Sequence, residues 1–482
     1  MQATVATCHA MLMAAPASGQ GKTMTTAALA RAYKNRGLRV QAFKCGPDFI
    51  DGMILQVATG KPVYNLDLGM CGEADAQRLL YQAAQENDVI LLEGVMGLYD
   101  GTPSCADIAE RFGIPVGLVI NAKAMAQTFA AIAYGLYAFR PALKKAGVIA
   151  NQVGSDGHAK MIQAALPADI PWLGAMKHDT QLSLPERHLG LHLAQEISDI
   201  DQRIEAAAHL LGPEIPLPPA VQFSAPEPHT VTPLLQGKTI AVAKDAAFCF
   251  TYQANLDLLQ TLGATIQFFS PLQDAQLPEA DAYWLPGGYP ELHLDQLHHN
   301  TAMREGLHAA AQSNKPILAE CGGMLALGNT LNDQPVFGLL PGNAEIQPKL
   351  QGLGTQHAAF NMPGEQPASI GAHTFHYGRF ETDLPVIAQG KGKYGAGEPV
   401  YKQGSITASF LHFYFPSNPA LAAQFCLFRR RQSGDLQGDG RAARYAAFSA
   451  HADCARVTAK IATRRAPRAQ RRADATMAFY PH

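Results

Sequence analysis

The chain has 482 residues, 47% of them apolar and 16% charged, with a formal net charge of −2. At roughly 100–200 residues per domain this allows two or three domains, each with its own core. The near-neutral balance excludes a chain drawn as a whole to nucleic acid, and no run approaches the ~18 apolar residues of a membrane span.

The opening MQATVATCHAMLMAAP has no basic leader and runs straight into a Gly-rich loop, so it reads as a core strand rather than a signal peptide. From residue 1 to 210, short apolar runs alternate with helical patterns. MLMAA (11–15), VQAFK (40–44), DVILLEG (88–94), VGLVIN (116–121) and AGVIAN (146–151) are apolar nearly throughout, as strands covered on both faces should be. Helical patterns over 22–36 and 74–86 lie between them. This is βαβ logic and predicts an open, mostly parallel α/β sheet.

The loop after the first strand reads Ala15-Pro16-Ala17-Ser18-Gly19-Gln20-Gly21-Lys22-Thr23. In such a strand–loop–helix unit, backbone N–H groups around Ser18, Gly19 and Gly21 can point at phosphate oxygens, and the helix adds its positive end. Lys22 would reach the outer phosphates of ATP and the Thr23 hydroxyl would bind Mg²⁺. The strict pattern has Gly where Pro16 stands. Further acidic groups follow later strands: Asp48 and Asp51 in KCGPDFID, with Lys44, and Glu93 and Asp100 in EGVMGLYDG. A carboxylate at the C-terminal end of a buried strand faces the ligand crevice of an open sheet and can complete a Mg²⁺ shell. One alone would equally be a cap or turn residue; several such carboxylates at strand ends around a phosphate loop point to a nucleotide–metal site.

Residues 211–236 are Pro-rich and read as a spacer between domains. A second α/β pattern fills 237–428, with strand-like runs at TIAVAKD (239–245), TIQFF (265–269), AYWLPGG (282–288) and PILAECGG (316–323). Cys321 falls between a strand and an apolar helix start with glycines directly after it, the strand–turn–helix setting of a nucleophile. The helix start is expected to lower its thiol pKa, and the N–H of Gly322 to bind an oxyanion. Gly288, in LPGGYPELH, offers a second donor, and His412 is the candidate base. His373 and His376 read equally well as structural histidines. Eight cysteines without a C-x-x-C pair argue against a zinc ribbon and fit a reducing cytoplasm. From 429 to 482 the chain is rich in Ala and Arg; a basic arm or a disordered extension both fit.

In order, PASGQGKT, KCGPDFID, YNLD, EGVMGLYDG, LPGGYPELH, ECGGM, AHTFHY and ASFLHFYF resemble the cobyrinate a,c-diamide synthases of cobalamin biosynthesis over roughly residues 10–428. The resemblance implies two α/β domains: a P-loop, dethiobiotin-synthetase-like ATPase and a class I glutamine amidotransferase. It implies ATP, Mg²⁺ and L-glutamine acting on a corrinoid, with no nucleic acid or membrane partner. It places Lys22 and Thr23 at the nucleotide; Thr23, Asp48 and Glu93 at the metal and phosphates; Asp51 and Asp100 near the reacting carboxylate; and Asp48, Phe49 and Ile50 against substrate. Cys321 is the implied nucleophile and His412 its base. The Glu that class I glutaminases usually carry two residues after the histidine is Tyr414 here, so the orienting group of His412 is open. Ala372 and Gly52 also depart from the family pattern. Competing readings are amidation of a nickel or metal-free relative, a partitioning-type ATPase with an inactive glutaminase-like domain, and nucleic-acid binding through the tail.

Overall fold

The computed structural model describes residues 4–427 except 183, 185, 188, 189, 192, 213, 228, 229, 361–366 and 394–396; the Arg-rich tail lies outside the described residues. The first domain is built on seven parallel strands: β1 (Val5–Ala14), β2 (Val40–Cys45), β3 (Tyr64–Leu66), β4 (Val89–Glu93), β5 (Val116–Asn121), β6 (Lys145–Val153) and β7 (Trp172–Lys177). Their spatial order is β3-β2-β4-β1-β5-β6-β7. Alternate residues of one strand serve opposite cores. Leu12, Ile90 and Leu92 face a cluster with Leu79 and Leu80, whereas Met11, Met13, Val89 and Leu91 face one with Ala27, Leu29 and Tyr33. Burial on both faces explains the unbroken apolar runs in the sequence. The helices α1 (Lys22–Asn35), α2 (Ile50–Thr59) and α3 (Glu73–Glu86) supply much of that cover.

Parallel pairing brings the C-terminal ends of β1, β2 and β4 to one edge, with Glu93 in register with both Met13 and Lys44. Chain order reverses across β1, which lies between β4 and β5, so the loop after β1 opens at the switch point where α/β sheets bind ligands.

The Pro-rich segment is not only a spacer. Residues Ala220–Ser224 form β8, antiparallel to the first half of β1, from Val5↔Ser224 to His9↔Ala220. AVQFS alternates, with Val221 and Phe223 buried and their neighbours exposed, so a two-residue period was present beneath the prolines.

The second domain has a parallel half: β9 (Thr239–Ala243), β10 (Thr265–Phe269), β11 (Ala282–Leu285) and β12 (Ile317–Glu320). An antiparallel half follows: β13 (Gly352–Phe360), β14 (Ala368–His376), β15 (Val386–Gly392), β16 (Pro399–Gln403), β17 (Ile406–Ser409) and β18 (His412–Phe413). They form one sheet ordered β10-β9-β11-β12-β17-β16-β15-β13-β14-β18, in which β17 is parallel to β12 and hands the sheet over to the antiparallel part.

The two domains share a small core of Met70, Cys71, Tyr252, Ala254 and Tyr414, with Phe49 and Tyr64 packed against it. Polar bonds cross with it: Tyr414 donates to Asp75 at 2.6 Å, Tyr64 to Asp257 at 2.8 Å and Tyr252 to the Pro47 carbonyl at 3.0 Å. Gly371 lies so close to the Met70 carbonyl that a Cβ there would collide with it. A Gly371→Ala variant should therefore lose about 1–3 kcal/mol of stability; an unchanged urea-unfolding midpoint would show that the contact between domains is slack.

Candidate active sites

The first site gathers at the strand edge described above. Gly19 and Gly21 take φ of 75° and 85°, a left-handed turn that side chains resist, and α1 begins directly after it at Lys22. The side chain of Asn151, at the end of β6, donates to the Gln20 carbonyl at 2.9 Å and fills the space where a Cβ on Gly21 would sit. Lys22 donates to the carbonyl oxygen of Met96 at 2.6 Å, so its ammonium is held by backbone. Burial, and then the nearby Lys44, lower the Lys22 pKa.

Thr23 donates to Glu93 at 2.6 Å and lies 3.1 Å from Asp51. Lys44, only 1% exposed, reaches Asp51 at 2.7 Å and Glu93 at 3.5 Å. Burial alone would lower its pKa, but Asp51, Glu93 and Asp48 outweigh that and hold it charged. The carboxylates feel the opposite pressure. Burial, followed by Asp51, pushes Glu93 up to about 8 and Asp48 up to about 6. One Glu93 oxygen, Oε2, is buried with no partner.

These groups line a cavity of about 500 Å³ that also holds Ser18, Gly19 and Gly21. The expected residues thus converge, with two differences of placement. Asp51, rather than Asp48, lies against Thr23; Asp48 accepts the Asp51 N–H at 2.9 Å, at the start of α2. Asp100 is exposed, accepts the Gly97 N–H at 2.9 Å in a turn, and is not part of the cavity wall. Asn151 was not singled out in the sequence; its position at the end of an apolar strand was the available signal.

The second site sits where β12 turns into the short helix α4 (Gly322–Leu327). Cys321 has φ 47° and ψ −111°, a strained turn for a residue with a side chain, and its N–H binds the Ser409 carbonyl at 2.7 Å. Both following glycines are required by crowding. A Cβ on Gly322 would lie 2.8 Å from the Gly288 carbonyl, and one on Gly323 would strike the Leu285 carbonyl. Gly288 itself abuts the Ala247 carbonyl, and a Cβ on Gly287 would collide with His412 and lie 3.3 Å from the Cys321 Cβ. Gly287 therefore marks the point where Cys321, His412 and the Gly-turn meet.

The expectation of a thiolate favoured by the helix start is corrected. Burial, followed by Glu291, pushes the Cys321 thiol up to about 12. The helix has six residues, all buried, and desolvation of the charged form outweighs the pull of its end. His412 is likewise held well below its ordinary value, by burial first and then by His373 and His376, and its Nδ1 has no partner. The resting pair is a neutral thiol and a neutral imidazole.

His373 stands opposite His412 in register, with ring centroids 6.2 Å apart, and burial followed by His376 lowers it to about 3. His376 is structural: it bonds Glu398 at 3.0 Å and the Gly378 carbonyl at 2.8 Å, and stacks on Phe410. Glu320 was quoted in the sequence without a role. Its two oxygens accept the Phe413 N–H and the Trp284 indole N–H, both at 2.9 Å, which pins the strand that carries His412. Asn255 grips the same strand through the Phe413 carbonyl at 2.7 Å and the Phe415 N–H at 2.8 Å.

Phe49 leaves the carboxylates beside it. Its ring packs on Tyr252 at 4.4 Å, His412 at 5.0 Å and Phe250 at 5.1 Å, all in the second domain.

Residues 11–191 match the model of the CobQ/CobB/MinD/ParA nucleotide binding domain, and residues 239–420 that of the CobB/CobQ-like glutamine amidotransferase domain. The chain is 52% identical to the hydrogenobyrinate a,c-diamide synthase of Stutzerimonas stutzeri, over 86% of this chain and 98% of that one. It is 51% identical to the protein of the same name from Pseudomonas aeruginosa, over 87% and 98%. It is 46% identical to the cobyrinate a,c-diamide synthase of Herminiimonas arsenicoxydans, over 86% and 95%.

Two expectations follow from the geometry. Gly21→Ala combines left-handed strain of about 1–2 kcal/mol with the collision at Asn151, so ATP affinity by equilibrium titration should fall at least about tenfold. For Cys321, a thiol at about 12 is roughly one part in ten thousand thiolate at pH 8. Its iodoacetamide alkylation without glutamine should therefore be slow and still climbing above pH 9. A plateau below pH 8 would mean a resting thiolate.

Proposed function

The chain belongs to the a,c-diamide synthase family, and we propose that it converts the a and c acetate carboxylates of a corrinoid to amides. It is a glutamine-dependent ligase that forms C–N bonds and uses ATP. The observation that carries the reading is the coexistence, on one docked pair of domains, of a dry Cys–His pair and a phosphate cavity edged by Lys22, Lys44 and Asp51.

At the second site, Cys321 attacks the glutamine carboxamide while His412 takes the thiol proton. The backbone N–H of Gly322 and the Gly288 turn receive the oxyanion. His412 then gives its proton to the departing ammonia, and water releases glutamate from the thioester. At the first site, a corrinoid carboxylate attacks the γ-phosphorus of ATP and ADP leaves, forming an acyl phosphate. Ammonia attacks the acyl carbon and phosphate departs. A bare carboxylate is a poor acyl donor, and phosphorylation supplies the leaving group.

Lys22, now at the Met96 carbonyl, is within the cavity to receive the phosphates, and Lys44 places its charge against Asp51 and Glu93 beside them. Thr23 and Glu93, with Asp48 or Asp51 alongside, would hold Mg²⁺; the unpartnered Glu93 oxygen fits an oxygen-seeking cation. When bound, the ion offsets charge on the transferred phosphoryl group. Asp48, Phe49 and Ile50 are assigned to the corrinoid, and Asp51 and Asp100 to the surroundings of the reacting carboxylate. A cytoplasmic setting is proposed with this chemistry; among the described residues no helix is long and apolar enough to cross a membrane.

A second reading, in which the ring carries no metal, is favoured by the names of the relatives at 52% and 51% identity. Mass spectrometry after incubation with ATP, Mg²⁺ and glutamine, using cobyrinic and hydrogenobyrinic acids in parallel, tests both. Two amides on either ring are expected. Cys321→Ser should lose glutamine-driven amidation and keep ammonium-driven amidation. If ammonium also fails to support that variant, or neither ring is changed while glutamine is hydrolysed, the assignment is wrong.

A further inference from the structure

The segment Gly46–Asp51 belongs to the first site by its chemistry, yet its middle residue is part of the second. Asp51 bonds Lys44 and Thr23. Two residues earlier, Phe49 lies nearly parallel to Phe250, with 8° between the planes, and also covers Tyr252 and His412. The residues it touches are wired to the nucleophile's surroundings. The N–H groups of Cys249 and Phe250 both donate to the Gly287 carbonyl at 2.9 Å, and Gly287 is the residue wedged against His412 and Cys321. The Tyr252 hydroxyl closes the circuit by donating to the carbonyl of Pro47, on the Phe49 loop itself.

We propose that Phe49 is a positioning residue of the glutaminase, its ring forming the wall that seals the Cys321–His412 pair on the side facing the phosphate cavity. The inference rests on the reading of Cys321 and His412 as the glutaminase pair, and not on which corrinoid is the substrate. Two consequences follow from the geometry. The ring excludes water from the imidazole, which keeps the base neutral and ammonia unprotonated. It also makes the loop that carries Asp48 and Asp51 part of the glutaminase, so ammonia is released beside the loop that handles the acceptor. Truncation to alanine removes the phenyl ring from a packed site. A space the size of a phenyl ring has room for water, and the His412 imidazole and Tyr252 hydroxyl beside it offer polar partners.

The test uses the full chain with a corrinoid substrate, ATP and Mg²⁺. It compares glutamate released, amide formed from glutamine, and amide formed from ammonium salts. Phe49→Ala should raise the glutamate released per amide at least about threefold, and should depress glutamine-driven amidation at least about threefold more than ammonium-driven amidation. Phe49→Tyr, which keeps the ring, should bring both ratios back to the parent values. Equal losses with glutamine and ammonium would overturn the proposal, because Phe49 would then serve only the acceptor site. An unchanged glutamate-to-amide ratio, or a Tyr variant as leaky as the Ala variant, would overturn it as well. Loss of all glutamate release in Cys321→Ser is the separate check on the pair itself.

Discussion

The ammonium of Lys44 holds the molecule's chemistry in place. It is buried at the end of β2, and it binds Asp51 at the start of α2 while lying 3.5 Å from Glu93 at the end of β4. A buried charge is tolerated only when paired, and here the pairing ties three elements to one point. With Lys44 and Asp51 fixed to each other, the six residues between them must arch outward. That arch offers the Pro47 carbonyl to Tyr252 and the Phe49 ring to the aromatic face of the second domain. One ion pair thus fixes the phosphate site and also sets the shape of the loop on which the other domain docks.

The two sites solve opposite electrostatic problems. The first concentrates charge of both signs in a cavity, where incoming phosphates and a cation can exchange partners with Lys22 and the carboxylates. At the second, the Cys321–His412 pair itself is buried and uncharged at rest. With the thiol held up and the imidazole held down, the proposed proton transfer from Cys321 to His412 is unfavourable until an oxyanion begins to form opposite the backbone N–H groups. A protonated His412 in such surroundings is a strong acid and passes its proton readily to the leaving ammonia. Burial therefore restrains idle reaction of the cysteine and drives the later step.

Much of this was legible in the sequence because it is local. PASGQGKT carries its loop, helix and hydroxyl within eight residues, and ECGG carries the strand, turn and helix start that crowd Cys321. Strand positions were legible because burial on both faces leaves unbroken apolar runs. What was missed is long-range. Nothing near Asn151 says that it packs on Gly21, some 130 residues earlier in the chain, and nothing near Glu320 says that it will hold the backbone of Phe413. The thiol was misjudged because a helix start can be read from sequence, whereas the burial that overrules it depends on the whole fold. β8 was a different failure, since its alternation was visible but the surrounding prolines dominated the reading.

The orientation of His412 shows how a site can be built without the usual charged partner. Tyr414, which stands where class I glutaminases usually have Glu, donates its hydroxyl to Asp75 of the first domain. In its place the structure clamps the backbone directly after the histidine. Glu320 takes the Phe413 N–H, and Asn255 takes the Phe413 carbonyl and the Phe415 N–H. The ring itself is confined between Phe49, Phe250 and His373. A carboxylate hydrogen-bonded to His412 would raise its pKa and favour a resting ion pair with Cys321. Packing confines the ring without that penalty. Because part of the packing belongs to the other domain, the base is fully walled only when the two domains are docked.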